Sequence, residues 1–354
     1  MVVDDSALMR QVLKKMIETA PGLEFAGYAR DGEDSLIKAR ELRPDVITMD
    51  INMPKMDGLT ALQMIISEEI CPVVMCSSLT ERGAMATFEA LELGAFDVVA
   101  KPGGTVSADL TAVAADLISK LKAAAGAGTL SRIRRGGSRR STPPVPTTAA
   151  PLAPTAGNFR AIALGISTGG PSTLMEVLPA IPADINAAIF LTQHMPPAFT
   201  STFAKRLDGA CKLSVFEAEP GMIVQAGCCY VARGGFHLTV ARKSDGQVVM
   251  RTPSMPQKLF MPSVDVMMES LLKLYGADVI GVLMTGIGDD GADAMVNIRR
   301  AGGRTIAESE DTAVVFGMPR EAILRGGAEI IAPAWRVPAE IMAALEHRTK
   351  TAAA

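Results

Sequence analysis

The sequence predicts an α/β protein made of two doubly wound parallel-sheet domains joined by a flexible linker. Short β-branched runs alternate with helical patterns in both halves of the 354 residues, as in a parallel sheet with crossover helices. Between the halves, residues 123–158 are rich in Ala, Gly, Ser, Thr and Pro, and show no alternation that buries a face. Charge divides the chain at the same place. Residues 1–105 carry 10 basic and 17 acidic side chains, 106–157 carry 7 and 2, and 158–354 carry 18 and 19, so the segments differ in sign within a net charge of −3.

In the first half the strand candidates are 23–29, 46–49, 73–75 and 97–100, with helices near 8–18, 35–42, 59–66 and 84–93. Leu8, Val12, Leu13, Met16 and Ile17 fall at helical spacing. In the second half apolar strands are expected at 161–165, 187–191, 230–232 and 279–284, with a helix from Ser172. The expected limits are 1–120 and 158–346 for the two domains, 121–157 for the linker and 347–354 for a polar tail. The five arginines between Arg132 and Arg140 read as part of a solvated tether, because no aromatics or amphipathic helix accompany them.

Composition narrows the function. A chain with 48% hydrophobic and 21% charged residues has material for two cores, which excludes disorder throughout. No basic surplus and 4% aromatic residues argue against nucleic acid as the main ligand. Cysteines 71, 76, 211, 228 and 229 have neither paired zinc spacing nor the density of a disulfide scaffold, so they read as reduced, packed thiols in a cytoplasmic protein. The N-terminus lacks the basic start and apolar core of a signal peptide. The longest uncharged stretch, 185–204, contains Asn186, Gln193, His194, Pro196 and Pro197, a poor composition for hydrocarbon.

In open parallel sheets, ligands bind beyond the carboxyl ends of the strands, so polar residues there are informative. Asp4 and Asp5 follow Val2-Val3, Asp50 ends the run from Val46, Ser77 and Ser78 follow 73–76, and Lys101 closes 98–100. Singly, each acid also fits a helix N-cap or a turn. Together, three carboxylates repel and need a counter-charge, and oxygen ligands favour a hard cation such as Mg²⁺, which also holds a phosphoryl group.

In the second half, Gly165-Ile166-Ser167-Thr168-Gly169-Gly170-Pro171 follows an apolar run. It matches G-x-S-x-G, in which a sharp strand-to-helix turn exposes a serine hydroxyl; it also fits a phosphate cradle or a helix cap. Of three histidines, His347 sits in the tail and His237 follows Gly234-Gly235-Phe236 in a hairpin-like stretch. His194, in Thr192-Gln193-His194-Met195-Pro196-Pro197, ends an apolar strand and is the candidate base. Such a base needs an acidic partner to orient it. The best source is Gly286-Ile287-Gly288-Asp289-Asp290-Gly291, after the strand at 279–284. The order Ser, His, Asp is not that of α/β-hydrolases, chymotrypsin or subtilisin, so those folds are not supported.

Two resemblances rest on these residues. Val-Val-Asp-Asp-Ser at 2–6, the stretch from Asp50 to Gly58, Ser77 and Lys101-Pro102 resemble the flavodoxin-like receiver domain of response regulators. That implies that Asp50 accepts a phosphoryl group from a chemotaxis histidine kinase. Asp5, Asp50 and the backbone carbonyl of Asn52 would hold Mg²⁺, supported by Asp4, while Ser77 and Lys101 sense the acyl phosphate and the Lys101–Pro102 bond is cis. Receivers carry about five strand residues before the acidic pair, whereas here only Met1-Val2-Val3 precede it. Either the recorded start lies downstream of the true one or the first strand is stunted.

Residues 159–331 resemble the output domain of the CheB family of chemotaxis protein-glutamate methylesterases. The motifs are 165–171, 193–196, 199–208, Pro262-Ser263-Val264-Asp265-Val266, 283–291 and Val315-Phe316-Gly317-Met318-Pro319-Arg320. The resemblance implies a Rossmann-like α/β domain with a triad of Ser167, His194 and Asp290, not Asp289. It puts Thr168 and the backbone amide of Ile287 near the oxyanion; the family commonly has Met at the latter position. The implied substrates are methyl-accepting chemoreceptors, with ester hydrolysis and glutamine deamidation at one site and no cofactor for the ester chemistry. The unphosphorylated receiver would cover the cleft and phosphorylation would loosen it, in a monomer without membrane insertion. Two other readings compete. A transcriptional regulator needs a compact basic DNA-binding module, yet the second half nets −1. A phosphorylation-dependent adaptor would carry an inactive hydrolase half.

Overall fold

The computed structural model describes residues 1–77, 81–101, 107–134 and 159–351. The chain divides into two compact units, Met1–Thr142 and Pro143–Ala354. In the first, the described elements are β1 (Val2–Val3), α1 (Ala7–Glu18), β2 (Tyr28–Ala29), α2 (Gly32–Leu42), β3 (Ile47–Asp50), α3 (Gly58–Ser67), β4 (Val73–Ser77), α4 (Glu81–Glu92), β5 (Asp97–Ala100) and α5 (Ser107–Arg134). The strands form one parallel sheet in the order β2-β1-β3-β4-β5. Ser6, Asp31 and Asp57 start α1, α2 and α3 by accepting the backbone N–H three residues on, which satisfies an otherwise orphaned donor. Leu13, Ile17, Val74, Val99, Leu117 and Leu121 bury the contact of α1 and α5 with the sheet.

Two expectations for this unit need correction. The strand anticipated at 23–29 contains only Tyr28–Ala29. Leu23 and Phe25 still pack onto the core and alternate with exposed Glu24 and Ala26, but their neighbour β1 is two residues long and offers them nothing to pair with. The linker does not begin at 121 or 123, because α5 continues to Arg134. Ala124 is wholly buried against the core, and alanine, the best helix former, misleads when read as low complexity. The rest of the anticipated linker, 135–158, lies outside the described residues, as do Ser78 and Pro102 with its expected cis bond.

The second unit contains β6 (Arg160–Ile166), α6 (Gly170–Val177), β7 (Ala187–Gln193), α7 (Pro197–Ala210), β8 (Ser214–Glu217), β9 (Cys228–Val231), β10 (Thr239–Arg242) and β11 (Val248–Arg251). It continues with α8 (Val264–Tyr275), β12 (Val279–Leu283), α9 (Ala292–Arg300), β13 (Arg304–Glu308), α10 (Met318–Leu324), β14 (Ile330–Ala332) and α11 (Val337–Thr351). Seven strands form a parallel sheet, β14-β13-β12-β6-β7-β9-β8, and β10 pairs with β11 as a separate antiparallel hairpin. β7 and β12 are buried at every residue and β6 at all but its first. Sheets covered on both faces need such unbroken apolar runs. β8, β13 and β14 escaped the sequence reading because charged end residues leave the first two only short apolar stretches and the third is three residues long.

His237 is not in the hairpin but just ahead of β10, fully buried. Residues 347–351, expected as a tail, continue α11 as helix. The stretch 185–204 is divided between β7 and α7, and no helix among the described residues is long and apolar enough to cross a membrane. None of the five cysteines forms a disulfide, and three of them are buried.

Each sheet has a point where the chain turns to opposite sides. In the first unit it lies between β1 and β3, and in the second between β6 and β12. Ligand crevices open there, beyond the strand carboxyl ends.

Candidate active site

Ser167 follows β6, His194 follows β7 and Asp290 lies in the loop after β12. The structure brings these three loops together at the switch point. His194 Nδ1 is 3.1 Å from Ser167 Oγ, and its Nε2 is 2.8 Å from Asp290 Oδ2. Asp289, the adjacent acid, turns away and pairs with Arg325 at 2.5 Å.

The Asp290 carboxylate sits on the N-terminus of α8. Its Oδ1 accepts from the Ser263 hydroxyl at 2.8 Å and the Asp265 N–H at 3.1 Å. Its Oδ2 accepts from the Val264 N–H at 2.7 Å in addition to His194. Those amides and the helix dipole favour the anion. Burial pushes the carboxyl up, but the His194 bond and the two amides outweigh it and hold the pKa at about 2. Asp290 is therefore an anion at neutral pH and can only accept, so His194 Nε2 is the donor to it and Nδ1 is the nitrogen that faces the hydroxyl. Gly291 makes the seat possible: its φ is +95°, and a Cβ there would lie 2.5 Å from Val264 Cγ1.

The nucleophile loop is held from below. Ser167 N–H donates to the Thr285 carbonyl at 2.9 Å, and the Thr285 hydroxyl donates to the Thr168 carbonyl at 2.9 Å. Gly286 lets a second backbone approach, since a Cβ on it would stand 2.8 Å from Ser167 Cβ. This brings Gly286 against the serine; Thr168 is buried and Ile287 partly buried.

Two neighbours were not anticipated. The Phe260 ring stacks on His194 at 4.2 Å between centroids and 8° between planes. The Gln193 side-chain amide donates to the carbonyls of Ser167 and His194 at 2.9 and 3.1 Å, tying the two loops. For Gln193 the signals were its place next to His194 and its position in the motif at 193–196; for Phe260 there was none.

In the first unit, Asp4, Asp5 and Asp50 bring carboxylate oxygens within 4.8 Å of one another. Lys101 Nζ lies 2.7 Å from both Asp4 Oδ2 and Asp50 Oδ2. Burial raises the Asp50 carboxyl against the opposing pull of Lys101. Burial also disfavours the Lys101 ammonium, but its bonds to Asp4 and Asp50 prevail and raise its pKa. The Asn52 N–H points at Asp50 Oδ1 at 3.4 Å, and the Ser77 hydroxyl donates to the Gly83 carbonyl at 3.2 Å. Among the described residues, three carboxylates face one ammonium, a deficit that a hard divalent cation with oxygen ligands fits.

A hydroxyl, an imidazole and a carboxylate in hydrogen-bonding order define a serine-hydrolase unit, and the acidic pocket of the five-stranded sheet defines a receiver unit. The chain belongs to the CheB methylesterase family. That family's model matches residues 162–341, and the response regulator receiver domain matches residues 1–112. Protein-glutamate methylesterase/protein-glutamine glutaminase 3 of Syntrophomonas wolfei is 57% identical over 98% of this chain and 99% of its own. The protein of the same activity name from Pyrococcus horikoshii is 40% identical over 98% of this chain and 93% of its own. The crystal structure of the Thermotoga maritima CheB methylesterase catalytic domain is 36% identical, with a TM-score of 0.51, covering 54% of this chain and 99% of that one. Receiver domains bind Mg²⁺ for phosphorylation, and the acidic pocket has the donors for it.

Proposed function

We propose that the protein hydrolyses γ-methyl esters of glutamate on methyl-accepting chemoreceptors, deamidates receptor glutamines at the same site, and is activated by phosphorylation of Asp50. The continuous hydrogen-bond chain Ser167–His194–Asp290 carries this reading. His194 Nδ1 takes the hydroxyl proton as Ser167 Oγ attacks the ester carbonyl, and Asp290 stabilises the imidazolium. The amides of Thr168 and Ile287 hold the oxyanion; a backbone donor makes the side chain at 287 unimportant. As the C–O or C–N bond breaks, the imidazolium returns its proton to the departing methoxide oxygen, releasing methanol, or to the amide nitrogen, releasing ammonia when the substrate is glutamine. Water, deprotonated by the same nitrogen, then hydrolyses the acyl-enzyme.

In the receiver, Asp5, Asp50 and the Asn52 carbonyl would hold Mg²⁺, with Asp4 behind them. An ion held there would supply positive charge to offset the phosphoryl oxygens, and Asp50 would accept the phosphoryl group from a chemotaxis histidine kinase. Lys101 and Ser77 respond to the acyl phosphate and shift the population toward the active arrangement. The esterase step uses no cofactor, and the enzyme works as a cytoplasmic monomer.

The test is methanol release from methylated receptor membranes, with and without a small-molecule phosphodonor. Release that rises with phosphodonor and disappears in Ser167→Ala is expected. Undiminished release by Ser167→Ala would overturn the reading.

A further inference from the structure

We propose that His237 is a positioning residue for the Ser167–His194–Asp290 site, acting through Ser263 and the loop at 253–263. This deepens the esterase reading and rests on it. His237 is fully buried, and both ring nitrogens are engaged. Nδ1 accepts the Ser263 N–H at 3.1 Å, and Nε2 donates to the Pro256 carbonyl at 2.7 Å. Only the neutral tautomer with its proton on Nε2 makes both bonds. The flanking backbone adds two more ties: His237 N–H to the Pro253 carbonyl at 2.8 Å, and Gly235 N–H to the Met261 carbonyl at 2.9 Å.

The loop held in this way carries two groups that touch the triad. Phe260 stacks on the His194 ring. Ser263 donates its hydroxyl to Asp290 Oδ1 and caps α8, whose first amides complete the Asp290 seat. Phe260 and the Asp290 seat thus belong to one backbone segment, and a single imidazole bonds that segment at residue 256 and again at residue 263. An imidazole suits the task because its acceptor and donor point from opposite edges of one rigid plane. His237 bonds to none of the reacting groups itself, so its effect passes through where Ser263 and Phe260 stand. Misplacement of about 1 Å in such groups costs roughly 100-fold in rate.

The test uses full-length His237→Asn and His237→Gln. Asparagine restores an acceptor at the Nδ1 position, and glutamine restores only the reach of Nε2. Three quantities are measured: the rate of Ser167 labelling by a fluorophosphonate, kcat and KM for methanol release, and the melting temperature. His237→Asn should label within about threefold of wild type, whereas His237→Gln should label about 10- to 100-fold more slowly, with kcat reduced and KM unchanged. Labelling by glutamine that equals or exceeds that by asparagine overturns the proposal, whatever the melting temperatures do. Amide exchange on the wild-type protein gives a check that needs no variant. The Ser263 N–H should be as protected as the interior of α8, and rapid exchange there overturns the proposal. A wild-type protein that neither labels at Ser167 nor releases methanol refutes the esterase reading itself, which separates the two failures.

Discussion

Asp50 and Ser167 occupy corresponding places in two different sheets, each beside the strand gap where the chain reverses its direction of growth. Their surroundings differ in how much is left unbalanced. Around Asp50, among the described residues, three acidic side chains face one ammonium. Around Ser167, the charge is already placed: the Asp290 anion is answered by Ser263, Val264, Asp265 and His194. A site with a charge deficit waits for an ion and a phosphoryl donor, so it suits a switch. A site with its dipoles already oriented needs only substrate, so it suits steady turnover.

The largest expected effect tests the second half of that contrast. Asp290→Asn keeps the shape of the seat but favours the wrong imidazole tautomer, and kcat for methanol release should fall by roughly 10³- to 10⁴-fold. A loss under tenfold would mean that the carboxylate does not orient the base. Next comes removal of divalent metal. With excess EDTA the phosphodonor-dependent increase in methanol release should vanish, while basal release stays within about twofold, because the hydrolase site has no deficit for a cation to fill. An equal loss of both would erase the contrast.

The smallest effect concerns Asp265, which shares the α8 terminus with Asp290. Burial, then the Asp290 charge, raise its carboxyl to about 6. With the folded pKa above the unfolded one, the native state holds the extra proton between about pH 4 and 6, so ionised Asp265 destabilises the fold fully above about pH 6. That penalty disappears as pH falls toward 4. Asparagine keeps an acceptor for the Ala294 N–H and carries no charge. Discounted for partial exposure, Asp265→Asn should add about 1 kcal/mol at pH 7 and nothing near pH 4, measured by denaturant unfolding.

Much of this was legible because chemistry in parallel sheets collects where apolar runs stop. Asp50, Lys101, Ser167 and His194 each directly follow or end such a run, so a one-dimensional pattern located them. The supports around them were harder to read. The seat of Asp290 is made largely of backbone amides, which every residue but proline possesses, and they arrive from a segment 25 or more positions away. The motif at 262–266 was visible, but nothing in it announced that its N–H groups would meet a carboxylate. His237 looked like part of a hairpin because glycines precede it, and its burial depends on contacts with residues 253–263. The extent of α5 was missed for the opposite reason: alanine-rich sequence is ambiguous until one of its residues, Ala124, is seen to be covered.

The orientation of the His194 ring has a mechanical consequence. The nitrogen facing Ser167 is Nδ1, bonded next to the ring's attachment point, while the nitrogen held by Asp290 is Nε2 at the far tip. The imidazole is thus a lever gripped at its long arm and working at its short one, so a wobble at the carboxylate reaches the hydroxyl reduced. Residues behind Asp290 therefore act as fine adjustment, measured in tens-fold, while the groups on the short arm decide whether the machine runs at all.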